Sequence, residues 1–185
     1  MELDKVIDQR RSLRTLGDFE VTDQIINKLA RAAKLAPSCY NNQPWRYIFV
    51  HDSSKLKEMR KVLSKGNEWA YKSPLIAAVV SKEQLDCVIA KKRKYYQFDT
   101  GLSTGFMMLK ATEMGLVAHA IAGYSPKKTK KILNIPVDME VITLIIFGKK
   151  MDKRDPDLSE KMQKVEENRP ERKSNDVFIF HNSYE

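Results

Sequence analysis

The chain has 185 residues, 42% hydrophobic and 31% charged, which suits one soluble globular domain and excludes a disordered chain. Lysine and arginine number 33 against 24 acidic residues, and the net charge of +9 favours anionic partners: phosphates, nucleotides, nucleic acid or an acidic membrane surface. Two cysteines without CxxC spacing, Cys39 and Cys87, make no disulfide framework. With a charged N-terminus and apolar runs too short to span a bilayer, they point to a reducing, cytoplasmic setting.

Leu3 to about Arg10 reads as a short helix with Leu3, Val6 and Ile7 on one face. At its end "RRSLR" gathers Arg10, Arg11, Ser12 and Arg14. Guanidinium forks bond phosphate oxygens two at a time, so the cluster suits a terminal phosphate of a nucleotide or flavin; it equally fits a solvated basic end. Thr22 or Asp23 caps the helix "TDQIINKLARAAKLA", whose Ile25, Leu29, Ala33 and Ala36 share a face and which Pro37 ends. Between Pro37 and Pro44 stand Ser38, Asn41, Asn42 and Gln43. They read either as a loop whose side chains bond their own backbone, or as a polar loop pinned at both ends that holds a ligand.

"RYIFV" reads as a strand, "SSKLKEMRKVL" as a short amphipathic helix, and "PLIAAVV" as a central strand buried on both faces. "KKRK", Lys91 to Lys94, precedes Tyr95 and Tyr96; such a run suits single-stranded nucleic acid or an exposed helix face. "FDTGLSTGFMMLKATEMG" reads as a long helix with Asp99 as N-cap and Leu102, Phe106 and Leu109 at helical spacing. Its Gly101 and Gly105 suggest close helix packing. "LVAHAIAGY" is a strand ending in a tight turn at Gly123, "SPKKTKKIL" a helix capped by Ser125, and "EVITLIIF" a further buried strand. "DLSEKMQKVEEN" looks helical and exposed. A second basic cluster, "RPERK", holds Arg169, Arg172 and Lys173, and "DVFIF" reads as a terminal strand. The pattern predicts a single α+β domain over residues 1–185, with helices packed on a mixed central sheet. No GxGxxG, Walker loop, HExxH or paired CxxC appears, and His51, His119 and His181 are scattered, so no metal site is expected.

Taken together, "RRSLR", then "APSCYNNQPWRYIFV", the long helix ending "EMGL", the "AIAGY" turn and the late "RK" strongly resemble the FMN-dependent nitroreductase family over nearly the whole chain. The resemblance implies a mainly antiparallel sheet and a homodimer with exchanged C-terminal segments and FMN at the interface. Arg10, Ser12 and Arg172 would hold the flavin phosphate, with Arg11 and Lys173 in the same basic clusters. Arg14 would sit near the pyrimidine edge, where reduced flavin carries negative charge. Pro37, Ser38, Cys39 and Asn41 would reach the flavin across the interface, with Gln43, Pro44 and Trp45 fixing that loop and Cys39 serving as a spacer. Ala122 stands where many relatives have Glu, and the Gly123 N–H would point at flavin N5.

The implied activity is hydride transfer from NADH or NADPH to a small acceptor such as a nitroaromatic or quinone. One site used in turn means ping-pong kinetics and no catalytic acid–base dyad in the chain. No nucleic-acid or membrane partner is expected on this reading. The rivals are reductive dehalogenation or oxidative flavin breakdown on the same fold, FMN storage or sensing without turnover, and a basic nucleic-acid-binding module. The short segment from Ser81 to Phe98 leaves the acceptor open.

Overall fold

An eleven-residue strand, rich in Ile, Leu and Val, carries most of the pairing in this fold. The structure, a computed structural model, describes residues 2–87, 93–151 and 155–184. In chain order the elements are α1 (Leu3–Gln9), β1 (Leu16–Gly17), α2 (Asp23–Lys34), β2 (Arg46–Val50), α3 (Ser53–Arg60), β3 (Leu75–Ser81), α4 (Tyr95–Glu113), β4 (Leu116–Ile121), α5 (Pro126–Ile132), β5 (Glu140–Lys150) and α6 (Glu160–Glu167). β5 pairs with β3, β4 and the two-residue β1, and β3 also pairs with β2. Every one of these pairings is antiparallel, so the α+β reading holds and the mixed sheet becomes an antiparallel one.

The unbroken apolar runs of β3 and β5 follow from burial on both faces, because successive side chains point to opposite sides of a sheet. Ile76, Ala78, Val80, Leu144 and Ile146 pack on one side with Val62, Trp69 and Val117. Leu75, Ala77, Val79, Ile145 and Phe147 pack on the other with Leu29 and Ala33 of α2 and Met107 and Ala111 of α4. Burying each large aliphatic side chain contributes roughly 1.5–3 kcal/mol. Thr22 and Ser125 cap α2 and α5 as expected, their hydroxyls accepting from Ile25 N (3.3 Å) and Lys128 N (3.4 Å).

Four expectations are corrected. Helix α4 begins at Tyr95, and Asp99 is a buried residue within it rather than its cap. The face α4 turns inward holds Thr100, Ser103 and Thr104 beside Met107 and Ala111, while Phe106 is exposed. Ser103 and Thr104 are tolerated because they have partners: Tyr47 Oη donates to Ser103 Oγ (2.8 Å) and lies 3.2 Å from Thr104 Oγ1, and Ser103 Oγ donates to the Ala33 carbonyl (2.9 Å); Thr100 Oγ1 has none among the described residues. A Cβ built on Gly101 or Gly105 would meet nothing within 4 Å, so no close helix approach explains that pair within the chain. "DVFIF" is not a strand: Asn175–Val177 forms a 3-10 turn, and the Phe178 and Ile179 amides donate to the Asn175 carbonyl (3.1 and 2.8 Å). Among the described residues no helix is long and apolar enough to cross a membrane.

Candidate functional site

The two ends of the chain converge on one cavity of about 250 Å³, lined by Arg10, Arg11, Ser12, Arg14, Arg169 and Arg172. Helix α1 ends at Gln9 and delivers the first cluster; α6 ends at Glu167 and delivers the second. A helix C-terminus carries unpaired carbonyls and a partial negative charge, and here each is met by an arginine from the other end. Arg11 Nη2 donates to the Val165 and Asn168 carbonyls (2.7 and 3.0 Å) at the end of α6. Arg169 Nη2 donates to the carbonyls of Asp8 and Arg10, the latter at 3.0 Å. The Glu166 carboxylate accepts from the amides of Arg14 and Thr15, at 3.1 Å for Thr15 N to Oε2.

Those bonds divide the labour. Arg11 and Arg169 spend donors on main-chain carbonyls and fasten the walls. Arg10, which touches Ser12 Oγ at 3.4 Å, is held in a crowd of like charge. Burial first, then Arg169 and Arg172, lower its pKa from the usual arginine value. A partly buried cluster of guanidinium groups with a hydroxyl suits a phosphate dianion. Of the residues expected to form such a site, Arg10, Arg11, Ser12, Arg14 and Arg172 meet here and Lys173 does not line the cavity; Arg169 is an addition.

A second arrangement runs from this cradle to the turn after β4. Arg14 lies over the Trp69 ring (6.0 Å), and Trp69 stacks on His119 of β4 (ring centroids 4.7 Å). Trp69 Nε1 donates to Asn67 Oδ1 (3.3 Å), and Asn67 Nδ2 donates to the Gly123 carbonyl (2.8 Å), which also accepts from Ser64 N (2.9 Å). A Cβ on Gly123 would sit 2.3 Å from Asn67 Nδ2, so the amide closes over this residue because it lacks a side chain. Asn67, Trp69 and His119 were not among the expected site residues. The signal available was slight: one of two tryptophans beside a Gly-Asn turn.

The loop from Pro37 to Gln43 stands apart from both. Its centre, Cys39–Asn41, is a single 3-10 turn, with the Gln43 amide donating to Ser38 Oγ (2.9 Å) and Gln43 Nε2 to the Asn41 carbonyl (3.2 Å). Ser38, Asn41 and Gln43 thus bond within the loop, while Ser81 Oγ donates to the Pro44 carbonyl (2.8 Å) and anchors its exit. Cys39 is no mere spacer: it is disulfide-bonded to Cys87. The two cysteines expected to stay unpaired are joined because the loop lies against the segment that follows β3. The sulfurs and an Asp86 carboxylate oxygen lie within 4.8 Å of one another, a metal-capable grouping in which the two sulfurs are bonded to each other. Ala122 precedes Gly123 at the turn and is exposed.

In the basic–aromatic run Tyr96 is withdrawn from the surface. Lys91 and Lys92 lie outside the described residues, and Tyr96 is 2% exposed with its hydroxyl donating to Glu140 Oε2 (2.8 Å). Burial, then Glu140, push the Tyr96 pKa up to about 12. A ring committed to the core cannot receive a base.

The Nitroreductase family model matches residues 7–149. The chain belongs to the nitroreductase family. A relative from Archaeoglobus fulgidus, provisionally named an NADH dehydrogenase/NAD(P)H nitroreductase, is 31% identical over 159 residues, covering 82% of this chain and 87% of its own. Among solved structures, a nitroreductase family protein from Clostridium novyi NT superposes with TM-score 0.74 at 25% identity, over 84% of this chain and 89% of that one. An oxidoreductase described as containing FMN superposes with TM-score 0.87 at 23% identity, over all of this chain (100%) and 94% of that one, which bears on the fold alone.

In this nitroreductase-family chain His119 lies at the end of the stack that braces Arg14. It is 8% exposed, and its Nδ1 lies 3.0 Å from the Leu13 carbonyl. Burial lowers its pKa from 6.5 in spite of that carbonyl, with Arg14 adding to the effect. A histidine kept neutral in the fold contributes stability above its unfolded pKa that is lost as pH falls below it. Thermal or urea unfolding of wild type and His119→Phe should therefore diverge below about pH 6.5, wild type losing up to about 1.4 kcal/mol per pH unit more. Parallel stability profiles from pH 7.5 to 5 would show that His119 is not the titrating group.

Proposed function

We propose that the chain is an FMN-dependent NAD(P)H oxidoreductase that reduces small acceptors such as nitroaromatics or quinones. The observation that carries this reading is the convergence of guanidinium groups from both chain ends on one cavity beside a serine hydroxyl. Its donor set and excess of positive charge fit the phosphate of FMN. When bound, FMN supplies the redox chemistry, accepting hydride from a nicotinamide and passing electrons to the acceptor. The chain's own residues then bind and orient. Arg10, Ser12 and Arg172 would hold the phosphate while Arg11 and Arg169 keep the walls in place. Arg14, braced on Trp69, would place positive charge near the ring's pyrimidine edge. The turn at Ala122 and Gly123, fixed by Asn67, would present a backbone donor to the ring.

Pro37, Ser38, Cys39, Asn41 and Gln43 belong to the same reading only if a second subunit supplies them. No hydrogen bond joins this loop to the cradle among the described residues of one chain. The proposed enzyme is accordingly a homodimer. Supporting this, Leu3, Ile7, Leu35 and Phe106 line an outward apolar cavity of about 580 Å³, and Val177, Phe178, Ile179 and Phe180 are exposed. Solvated apolar patches of this kind mark contact surfaces.

Three measurements test the proposal. Fluorescence titration should show Arg10→Ala and Arg172→Ala binding FMN about thirtyfold more weakly than wild type, near 2 kcal/mol for one charge-assisted contact. Equal affinities would remove the phosphate assignment. Initial rates with NADH or NADPH against a quinone should give parallel double-reciprocal lines, since donor and acceptor use one place in turn. Intersecting lines would require both to bind together, and no turnover at all would leave an FMN carrier. Sedimentation velocity should find a dimer; a monomer that keeps FMN tightly would end the cross-subunit role of Ser38 and Asn41.

A further inference from the structure

The loop between Pro37 and Pro44 holds an unfavourable backbone. Tyr40, Asn41 and Gln43 have φ of 48°, 57° and 49°, a region that is uncommon for non-glycine residues and least favourable here for the bulky Tyr40. The bonds from Gln43 to Ser38 and Asn41 are internal to the loop and move with it. At its centre two ties reach the body of the protein. Cys39 N donates to Asp99 Oδ2 of α4 (2.7 Å), and Cys39 Sγ is bonded to Cys87.

The surroundings of that disulfide are a second observation. Cys87 N donates to Asp86 Oδ1 (2.8 Å), so each cysteine amide is held by a carboxylate. Asp86 is 8% exposed, and besides the Cys87 amide it meets the Asp99 carboxyl. A disulfide has no proton to donate; two thiols have two, though weak. Reduction therefore adds donors within reach of a buried carboxylate, in a group whose sulfurs and carboxylate oxygen lie within 4.8 Å. Burial, then the charge of Asp86 and its hydrogen bond, raise the Asp99 carboxyl pKa. A half-exposed disulfide that holds a loop in left-handed backbone is the labile kind rather than a permanent staple.

We propose that Cys39 and Cys87 form a reversible thiol–disulfide site that sets the order of the Pro37–Pro44 loop, its centre pinned by two ties when oxidised and by the Asp99 bond alone when reduced. Both cysteines are half-buried, so a small thiol can reach them. In the forward step two thiols of the glutathione class break the S–S bond through a mixed disulfide. Two electrons and two protons pass to the protein, leaving two cysteine thiols and one small disulfide, which is the oxidant for the reverse step. On the FMN reading, on which this consequence alone rests, releasing the loop weakens cofactor retention.

The test uses the full-length protein in glutathione buffers of stepped thiol-to-disulfide ratio. Alkylation and intact mass should show both thiols appearing together within that range. Hydrogen exchange without FMN should show the Cys39 amide, which is bonded to Asp99 of α4, opening about tenfold faster in the reduced form. Cys87→Ser should exchange at the reduced rate whatever the buffer. FMN titration should give about tenfold weaker binding to the reduced form. A disulfide that survives every ratio in the folded protein, or equal exchange in the two forms, overturns the proposal. Exchange and mass decide the site whether or not FMN binds, and failure of both forms to bind FMN would count against the cofactor reading alone.

Discussion

Like charges repel, and five guanidinium groups share one cavity here. The repulsion is contained by giving two of them other work. Arg11 and Arg169 face main-chain carbonyls at the ends of α6 and α1, where helix dipoles are negative. Each therefore closes a helix terminus that would otherwise leave carbonyls unpaired, and each fastens one chain end to the other. Glu166 adds a carboxylate against the Arg14 and Thr15 amides. What remains is a small set of cations in a fixed frame, more positive than the one carboxylate of Glu166 balances among the described residues.

The sheet decides where that site lies. β1 follows the first basic cluster and pairs with the far end of β5, Leu16 opposite Lys150. β4 pairs along the same strand, with Ile121 opposite Leu144, and ends just before Gly123. One strand thus sets the distance between cradle and turn, and the stack of Arg14, Trp69 and His119 fills the interval. Gly148 of β5 belongs to the same economy of space: a Cβ there would meet Leu16 Cβ at 2.7 Å, so β1 approaches only because the side chain is missing.

Much of this was legible from residues alone. Apolar runs gave the central strands, and hydroxyl caps placed α2 and α5. The two arginine clusters were visible as such, but that they meet at one cavity was not; only the family resemblance joined Arg172 to Arg10 and Ser12. The failures share a cause. Asp99 looks like a cap and Ser103 and Thr104 look like a polar face, since local rules assume that polar groups face water. Tertiary partners, Cys39 N for Asp99 and Tyr47 and Ala33 for Ser103, reverse that assumption. The disulfide was missed likewise, because a sequence separation of 48 residues says nothing about contact. Asn67 was invisible because its role is to complement a glycine far along the chain.

The inversion of α4 has a consequence for assembly. A helix that turns hydroxyls inward must place its apolar row somewhere else, and Phe106, at 42% exposure, stands on the outside with Leu102 and Leu109 beside it. Leu3 and Ile7 of α1 and Leu35 at the end of α2 extend the same surface. Buried hydroxyls need partners, and Tyr47 and the Ala33 carbonyl provide them for Ser103; solvated leucines need only be covered. The helix therefore meets most of its directional requirements within one chain and leaves its non-directional one on the surface. That division is the one expected of a surface that is covered by apolar contact, whereas the arginine frame is fixed by bonds internal to the chain.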